Sequence, residues 1–487
     1  MEESKTAVRL LFATIALAAF VDGLDGTIVT TVLPEIAEDL GIGAADSSWV
    51  ITIYFLMMAG LILIFGKISD RGALKAVIVG GFAVFGIGSL LCAFSDSFWT
   101  MLAFRALQGV GGGMLSASGI MIAVKHLPKG LTALGLSISV LGYSVGGALG
   151  PVLGGVLTES LDWGWIFLFN VPIGVAGAFL AAKAVPKDGE FDRSGFDWIG
   201  SAFLFVAMVA GLYVIESIPA HGFGPASAGI LLLCAAMLIL FVIRERRASD
   251  PVLRFSAFRR SPTVAAIAVF LLINLCWMGV FYLLPFYMQI VLGYDAVTTG
   301  LVLCVQSVVT LVMCVPVGRM VPKRGSRHYV ILGAVSTVVM TGVLLLASDY
   351  SPIPMMVSVV FLGVIWGFGG GSFGTRIVDS VSQEERGDVS PMVSFVIYFG
   401  SALGSALYSG LFSIGSGVPG ALISELSPMD FMDGFLFTMA VGTVLAAVSA
   451  VLAWAFNEEK DRLRGQNYLY TSNPVERAWI VHYAAPS

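Results

Sequence analysis

The chain has 487 residues, of which 57% are hydrophobic and 12% charged, and it carries a net charge of −5. A soluble protein of this size would carry roughly twice that share of charged residues, so the composition excludes a soluble fold and indicates an integral membrane protein. Its basic residues fall in short loops whose charge the membrane topology explains, so we expect no nucleic-acid partner.

Fourteen apolar stretches are long enough to cross a lipid bilayer, which takes about 20 helical residues each. We therefore predict an all-α integral membrane protein with fourteen spans, numbered here in chain order. Their approximate bounds are 9–33, 48–66, 76–94, 98–122, 131–157, 164–184, 197–217, 226–244, 263–291, 297–318, 329–347, 354–375, 391–413 and 433–456.

The positions of Lys and Arg predict the orientation, because cytoplasmic loops of membrane proteins are enriched in these residues. If the N-terminus is inside, all of the 27 Lys and Arg except Arg105 fall in the termini and the cytoplasmic loops. The outer loops contain acids such as Asp46, Asp162 and Asp295 instead. We predict a multi-pass protein of the cytoplasmic (inner) membrane with both termini in the cytoplasm.

An internal repeat divides the chain into two halves. The fourth span reads GVGGG at 109–113, and the twelfth reads GFGGG at 367–371, which is 258 residues later. The same offset maps Gly142 and Gly146 onto Gly400 and Gly404. We predict a six-helix bundle over 1–190, two inserted spans with a basic cytoplasmic linker over 191–262, a second six-helix bundle over 263–456, and a cytoplasmic tail over 457–487. Such repeats indicate alternating access to a site between the halves.

Intramembrane charge is confined to the first half. Asp22 and Asp25 are three residues apart on one face of the first span, and Arg105 falls at a similar depth in the fourth. A charged side chain near the bilayer centre costs about 2.5 to 3.5 kcal/mol on insertion scales, so such residues usually serve a function. We hypothesise that Asp25 and Asp22 bind protons and that Arg105 modulates their affinity. A permanent structural ion pair is the alternative.

Polar and aromatic residues in the second half are candidates for lining a substrate pocket, because aromatic faces can stack on flat lipophilic compounds. Ordinary packing is the alternative for each of them. We expect Glu35 and Glu216 to lie at the outer surface. The five cysteines form no C-x-x-C pair, so we predict no metal site. The lining candidates are Asn274, Trp277, Tyr282, Tyr287, Gln289, Gln306, Trp366 and Tyr398.

The fifth span is rich in glycine. Gly142, Gly146, Gly150 and Gly154 recur every four residues and form one stripe along a helix, which permits close approach of another backbone. Pro151 removes a backbone hydrogen bond and permits a bend. The stripe predicts a surface on which two bundles rock against each other, or a static packing motif.

Four stretches resemble motifs of the major facilitator superfamily, and of its fourteen-span drug:proton antiporter family in particular. GGALGPVLGG at 146–155, which ends at Gly155, is similar to the antiporter motif, and RALQGVGGG at 105–113 to the fourth-span motif whose arginine is implicated in proton coupling. LDGTIVTTVLP at 24–34 resembles the first-span signature, whose aspartate corresponds to Asp25; Asp22 has no counterpart there.

The fourth of these stretches is GKISDRGALK at 66–75, which resembles the loop motif after the second span. It matches that motif at Gly66, Asp70 and Arg71 and departs from it at Ala73 and Leu74. The resemblance implies a conformational latch in which Asp70 interacts with the start of a second-half helix.

The resemblance implies a proton-driven antiporter that exports lipophilic, cationic compounds and is not an enzyme. We expect it to be a monomer and to need no cofactor. A dedicated exporter of one metabolite or antibiotic is the alternative among transporters. In a different class, Asp22 and Asp25 resemble half of an acidic metal-diphosphate site, as in an integral-membrane enzyme acting on lipid or isoprenoid substrates. A second acidic cluster at the same depth is absent from the sequence.

Overall fold

The computed structural model describes residues 2–128, 130–187, 189, 197–247, 261–347, 351–380, 386–418 and 421–455. All fourteen predicted spans are helical, which confirms the all-α membrane architecture. The predicted tail and most of the basic linker lie outside the described residues. The spans are Glu2–Thr31, Ala44–Ile68, Leu74–Ala93, Phe98–Lys125, Thr132–Ser160, Asn170–Ala184, Trp198–His221, Pro225–Glu245, Ser261–Phe286, Ala296–Arg324, Arg327–Val343, Ile353–Asp379, Arg386–Ser416 and Pro428–Ala455.

Short helical segments connect or extend several spans. Helices Leu33–Asp39 and Gly164–Leu168 follow the first span and precede the sixth, and 3-10 turns occupy Leu344–Leu346 and Ile423–Glu425. Two π-helical segments, Ser69–Ala73 and Tyr287–Val291, lie between the second and third spans and after the ninth. A helix satisfies its own backbone hydrogen bonds, which a bilayer requires because it contains no water to replace them.

The helix ends distinguish the two ends of the bundle. Spans two, four, six, eight, ten and twelve end with Lys or Arg in the last turn. Spans one, three, five and eleven have no basic residue there. Since consecutive spans run in opposite directions, the cations gather at one end, which we call the basic end. The opposite end, where Glu35, Asp46 and Asp295 lie, is the acidic end.

Each half is built around a close pair of spans, and two seams join the halves. The first span packs most extensively on the fifth, and the ninth span packs in the corresponding way on the thirteenth. Between the halves, the second span packs on the thirteenth and the fifth on the tenth. The 258-residue offset relates these two seams to each other. The inserted seventh and eighth spans pack together, and the seventh also contacts the thirteenth.

The glycine stripe of the fifth span faces its own half. A Cβ atom on Gly142 would lie 2.5 Å from the carbonyl oxygen of Ala16, and one on Gly146 would overlap that of Phe20, both in the first span. The expectation that this stripe forms the rocking surface between bundles is therefore wrong for Gly142, Gly146, Gly150 and Gly154. The reason is geometric, because residues four apart share one helical face and that face is buried against the first span.

The contact between the halves uses the adjacent face of the fifth span. Cβ atoms on Gly155 and on Gly300 of the tenth span would overlap the carbonyl groups of Ala296 and Pro151, respectively. Pro151 has no N–H to donate to the carbonyl of Gly147, four residues earlier. That carbonyl instead accepts a hydrogen bond of 3.0 Å from the hydroxyl of Ser307 in the tenth span. The proline therefore makes a backbone acceptor available to the opposite half.

Two single substitutions in matched helical positions test this packing. We expect Gly146→Ala to lower the apparent unfolding temperature, because the new methyl group forces two backbones apart at a cost of about 1–3 kcal/mol. Gly66→Ala should be tolerated, because its Cβ would meet nothing within 4 Å and alanine favours the helix. Thermal unfolding in detergent measures both. Equal stability of the two variants would contradict the assigned packing.

Candidate functional site

A cavity of about 920 Å³ lies between the two halves. Its walls come from the first, fourth and fifth spans of the first half and from the tenth, twelfth and thirteenth of the second. Asp22 and Tyr398 line it near the middle of the bundle, and Gly325 and Ser326 line it at the loop of the basic end. The cavity thus extends from mid-membrane depth to the basic end.

Asp22 connects the two halves across this cavity. The hydroxyl of Ser116 in the fourth span donates a 2.7 Å hydrogen bond to its Oδ2 atom, and the hydroxyl of Tyr398 in the thirteenth donates to the same atom. No described residue donates a hydrogen bond to the buried Oδ1 atom. Asp22 is the single charged side chain among the described residues that line the cavity. It is an acid with spare hydrogen-bonding capacity facing a space large enough for a drug-sized molecule.

Asp25 lies in a separate, fully buried network of the first half. Its Oδ2 atom forms an ion pair of 2.7 Å with Nη1 of Arg105, and both side chains are about 1% exposed. Its Oδ1 atom accepts hydrogen bonds from Gln108 at 2.8 Å and from Asn170 at 3.1 Å. The structure thus brings the predicted pair Asp25 and Arg105 together, but it turns Asp22 toward a different environment.

Arg105 is held from several directions. Its Nε atom donates a 3.0 Å hydrogen bond to the carbonyl of Val50, and Nη1 donates to Gln108 as well as to Asp25. The guanidinium carbon lies 4.3 Å from the centroid of the Tyr54 ring, within the range of a cation–π interaction. These contacts hold the guanidinium of Arg105 in one position.

Gln108, Asn170 and Ser89 were missed in the sequence although they complete this network. Gln108 also donates a 2.8 Å hydrogen bond to the Ser89 hydroxyl. For two of these residues the sequence contains a signal that could have identified them. Gln108 is three residues after Arg105 and shares its helical face, and Asn170 is an isolated amide in an apolar stretch.

The predicted lining residues divide into two groups. Trp366 and Tyr398 line the main cavity, and Trp277 and Gln306 line, together with Trp366, a small pocket of about 60 Å³ beside it. The two tryptophan rings meet edge to face with centroids 5.9 Å apart. This aromatic corner provides apolar, flat surface at mid-membrane depth.

The other four candidates line neither pocket, so that interpretation is wrong for them. Asn274 donates to the carbonyl of Phe270 in its own helix, and Tyr287 stacks on Phe435 with centroids 5.0 Å apart. Both belong to the packing of the second half. Tyr282 and Gln289 instead reach the first half at the acidic end. A helix buried on all sides gives no sequence periodicity that separates its cavity face from its packing face.

The loop motif between the second and third spans adopts a π-helical turn in which Gly72 has a φ of 100°. Asp70 forms a 2.9 Å ion pair with Lys125 of the fourth span, in the same half. This exposed pair contributes little stability. The described contacts of Asp70 therefore lie within the first half, whereas the expected latch reaches the second.

The acidic end is closed by hydrogen bonds between the halves. Thr52 and Ser405 share one of 2.8 Å, and the Ser409 hydroxyl donates to the carbonyl of Ala45 at 2.8 Å. The Tyr282 hydroxyl donates to the carbonyl of Ala44, and Gly43 pairs with Leu422 in an isolated antiparallel bridge. We call these contacts the acidic-end seam. They involve small hydroxyl groups and backbone atoms, which can separate without leaving a charge unpaired.

Glu35 adds a carboxyl group to this closure. It accepts a 2.9 Å hydrogen bond from Gln289 and is partly buried, contrary to the expectation of a surface position. Burial raises the pKa of its carboxyl from 4.5 to about 7, although hydrogen bonds from its own backbone and from Gln289 oppose the rise. This acid can therefore change charge near neutral pH.

These features define a class of protein. Fourteen membrane-spanning helices form two related halves that are closed together at one end, around a central cavity that reaches the other end, as in secondary transporters. The Major Facilitator Superfamily model matches residues 15–405, and the chain belongs to that superfamily. It is a membrane transporter and not an enzyme.

Several characterised proteins are similar to this chain. Multidrug transporter protein MdtP of Bacillus subtilis is 28% identical over 85% of this chain and 77% of its own length. Multidrug efflux pump LfrA of Mycolicibacterium smegmatis is 27% identical over 84% and 81%. Riboflavin transporter RibZ of Clostridioides difficile is 28% identical over 82% and 87%.

The fold is similar to that of a solved transporter. A bacterial homolog of the human lysosomal transporter Spinster, in an inward-facing and unoccupied conformation, superimposes with a TM-score of 0.63. It is 16% identical in sequence, and the match covers 92% of this chain and 96% of that one. At this identity the similarity concerns the fold alone.

Neutralising Asp25 should destabilise the protein, whereas neutralising Asp22 should not. Asp25→Asn leaves the guanidinium of Arg105 buried without a counter-charge, which costs about 3–5 kcal/mol. Asp22→Asn removes an acid that has no cation partner among its described contacts, so we expect unchanged or higher stability. Apparent unfolding temperatures in detergent measure the difference. The double variant Asp25→Asn with Arg105→Gln should recover part of the loss, and an Asp25→Asn protein as stable as the wild type would contradict the geometry.

Glu35 predicts a pH dependence of stability. Because its pKa is higher in the folded protein, its contribution is complete below pH 4.5 and is lost as pH rises through about 7. We expect the apparent unfolding temperature to fall between about pH 5 and about pH 8, and Glu35→Gln to reduce that fall. Glu425→Gln, which changes an exposed acid in the loop before the fourteenth span, is the control. An identical pH profile for Glu35→Gln and the wild type would refute this role.

Proposed function

We propose that this transporter is a proton-coupled antiporter that exports lipophilic, cationic compounds from the cytoplasm by alternating access. The observation that carries the proposal is the large central cavity, in which Asp22 is the single charged side chain among the described lining residues. A lone acid with an oxygen atom that has no described hydrogen-bond donor, in a cavity that Trp366 also lines, suits a flat compound that bears a positive charge.

The basic end would face the cytoplasm. The gathering of Lys and Arg at that end supports this orientation, in accordance with the positive-inside rule. Both termini would then be cytoplasmic and the membrane would be the inner one. In the conformation described, the cavity would accept substrate from the cytoplasm or the inner leaflet. We expect a monomer that contains no cofactor and uses the proton gradient as its source of energy.

Proton and substrate would compete for Asp22. A cation entering from the cytoplasm displaces a proton from this carboxyl group, and a proton arriving from the opposite side displaces the cation after the cavity has turned outward. Because Asp22 binds Tyr398 of the other half, its charge state also affects a contact between the halves. A group that serves both partners in turn gives an exchange rather than a leak.

Asp25 would be the second protonatable group. In the conformation described it is paired with Arg105 at 2.7 Å. A conformation in which the two side chains separate would leave the carboxylate without its cation and favour proton binding. The alternative, a permanent structural pair, predicts that Asp25 matters for folding and not for coupling.

A dedicated exporter of one neutral metabolite is the second candidate. The riboflavin transporter RibZ and the multidrug transporter MdtP are both 28% identical to this chain. The edge-to-face pair of Trp277 and Trp366 would suit a flat uncharged ring system equally well.

Proteoliposomes with an acidic lumen separate these possibilities. The membrane potential is clamped with potassium and valinomycin, and uptake of tetraphenylphosphonium or of riboflavin is followed together with lumenal pH. We expect cation uptake to raise the lumenal pH. The Asp22→Asn variant should take up the cation at least about tenfold more slowly, the equivalent of about 1.4 kcal/mol. Ser144→Ala, another lining residue, is the control and should transport normally.

The other outcomes are equally informative. Riboflavin uptake that Asp22→Asn leaves unchanged, with no cation uptake, would favour the dedicated exporter. Cation uptake that does not change the lumenal pH would refute proton coupling. Normal coupling by a correctly folded Asp25→Asn protein would leave Asp22 as the coupling acid and assign Asp25 a structural role.

A further inference from the structure

The inserted seventh span lies against both halves of the transporter at the acidic end. A Cβ on Gly410 of the thirteenth span would come within 3.0 Å of Ile215 and Pro219 of the seventh. The ring of Tyr213 in the seventh span lies 6.1 Å from that of Trp49 in the second. The second and thirteenth spans are the two that meet in the acidic-end seam. The inserted helix therefore covers this seam from the side.

Glu216 projects from the seventh span toward the acidic-end seam. The sequence predicted a surface position, but the side chain is 4% exposed, because the second and thirteenth spans cover that face of the helix. Its Oε1 atom accepts a hydrogen bond from the hydroxyl of Ser48 in the second span, and no described residue hydrogen-bonds to its buried Oε2 atom. A carboxyl group buried in a membrane helix is costly and usually functional.

Ser48 connects Glu216 directly to the contacts that close the acidic end. It lies one helical turn from Ala45, whose carbonyl accepts from Ser409, and one turn from Thr52, which binds Ser405. Separation of the second and thirteenth spans would break these hydrogen bonds and admit water to the same place. The environment of Glu216 would therefore change from buried to hydrated when the acidic end opens.

The groups around Glu216 give it no counter-charge. From the second span the charged group that acts on it is Asp46, and from the ninth span the titratable neighbour is Tyr282. The part of the thirteenth span near the acidic end, from Gly404 to Ser416, contains no charged residue. On the eighth span, Arg244 pairs with Asp197 at the basic end. A charged carboxylate with an acidic neighbour and no cation is unfavourable in this closed environment.

We propose that Glu216 is a proton-binding site that controls the opening of the acidic-end seam. It holds a proton while the seam is closed, and it releases the proton to water when the seam opens and the carboxylate becomes hydrated. The inserted pair of helices thereby couples the pH on the acidic side to the conformation of the transporter. The inference rests on the alternating access of the proposed function and adds to it a site outside the central cavity.

A distance measurement across the acidic end tests this site without substrate or gradient. Spin labels at Leu161→Cys in the first half and Met429→Cys in the second occupy exposed positions, 55% and 75% accessible. Both are introduced after replacement of the five native cysteines, and the protein is studied in lipid nanodiscs from about pH 5 to about pH 9. One titrating proton changes the ratio of open to closed molecules by up to about tenfold per pH unit.

In the labelled protein that retains Glu216, we expect the population with the longer distance to increase as pH rises. Glu216→Gln keeps a neutral side chain that can bind Ser48, so the shorter distance should persist at all pH values. Glu216→Asp should restore a pH response, which shows that the carboxyl group and not mere packing is required. Glu35→Gln, the control, removes the second partly buried acid of the acidic end. This variant should retain the part of the pH response that is due to Glu216.

Two results would overturn the proposal. One is a distance distribution that does not change with pH in the protein with Glu216 intact. The other is a Glu216→Gln protein, monodisperse in size-exclusion chromatography, that opens with pH as the parent does. Because the measurement contains no transported compound, a failure of cation export in proteoliposomes would leave this result unaffected, and the two proposals can fail separately.

Discussion

The ion pair between Asp25 and Arg105 is the interaction around which the first half is organised. Through Gln108, Asn170, Ser89 and the carbonyl of Val50, it joins five of the six spans of this half. Inside a membrane such a pair needs hydrogen-bond partners for its remaining polar atoms, and here both oxygen atoms of Asp25 and the Nε and Nη1 atoms of Arg105 have them. The second half has Leu283 and Gly363 at the equivalent positions and is held instead by aromatic and small-residue packing.

This difference between the halves explains where movement can occur. The charged network fixes the spans of the first half to one another, and the glycine stripe of the fifth span locks that helix against the first. Apart from the bonds of Asp22 with Tyr398 and of Glu35 with Gln289, the described contacts between the halves are of another kind, namely hydroxyl groups, backbone carbonyls and glycines that meet directly. These can exchange partners with water at little cost. The halves are thus suited to move as rigid bodies, and the seams between them are the places that open.

Four of the buried or partly buried acids, namely Asp22, Asp25, Glu35 and Glu216, have different surroundings. Asp25 is paired with a cation, and Asp22 faces the cavity and reaches across to Tyr398. Glu35 and Glu216 accept hydrogen bonds at the acidic end, and one oxygen atom of each is without a described partner. The same functional group therefore has a different degree of burial and different charged or polar neighbours at each place.

The sequence alone determined the architecture. Hydropathy, the distribution of Lys and Arg and the 258-residue repeat were sufficient for fourteen helices in two halves, because a bilayer leaves the backbone few alternatives. It also identified Asp22, Asp25 and Arg105, since a charged residue within a membrane span is easily recognised in a sequence.

What only the tertiary structure decided is which way each side chain faces. A membrane helix is apolar on all sides, so periodicity could not predict that Asp22 faces the cavity and that Asp25 faces the buried network. Periodicity also could not predict that Glu216 is buried, that the glycine stripe packs on the first span, or that Trp366 and Tyr398 line the cavity while other candidates only pack. Those choices depend on which helices become neighbours, and that is settled by contacts between residues hundreds of positions apart.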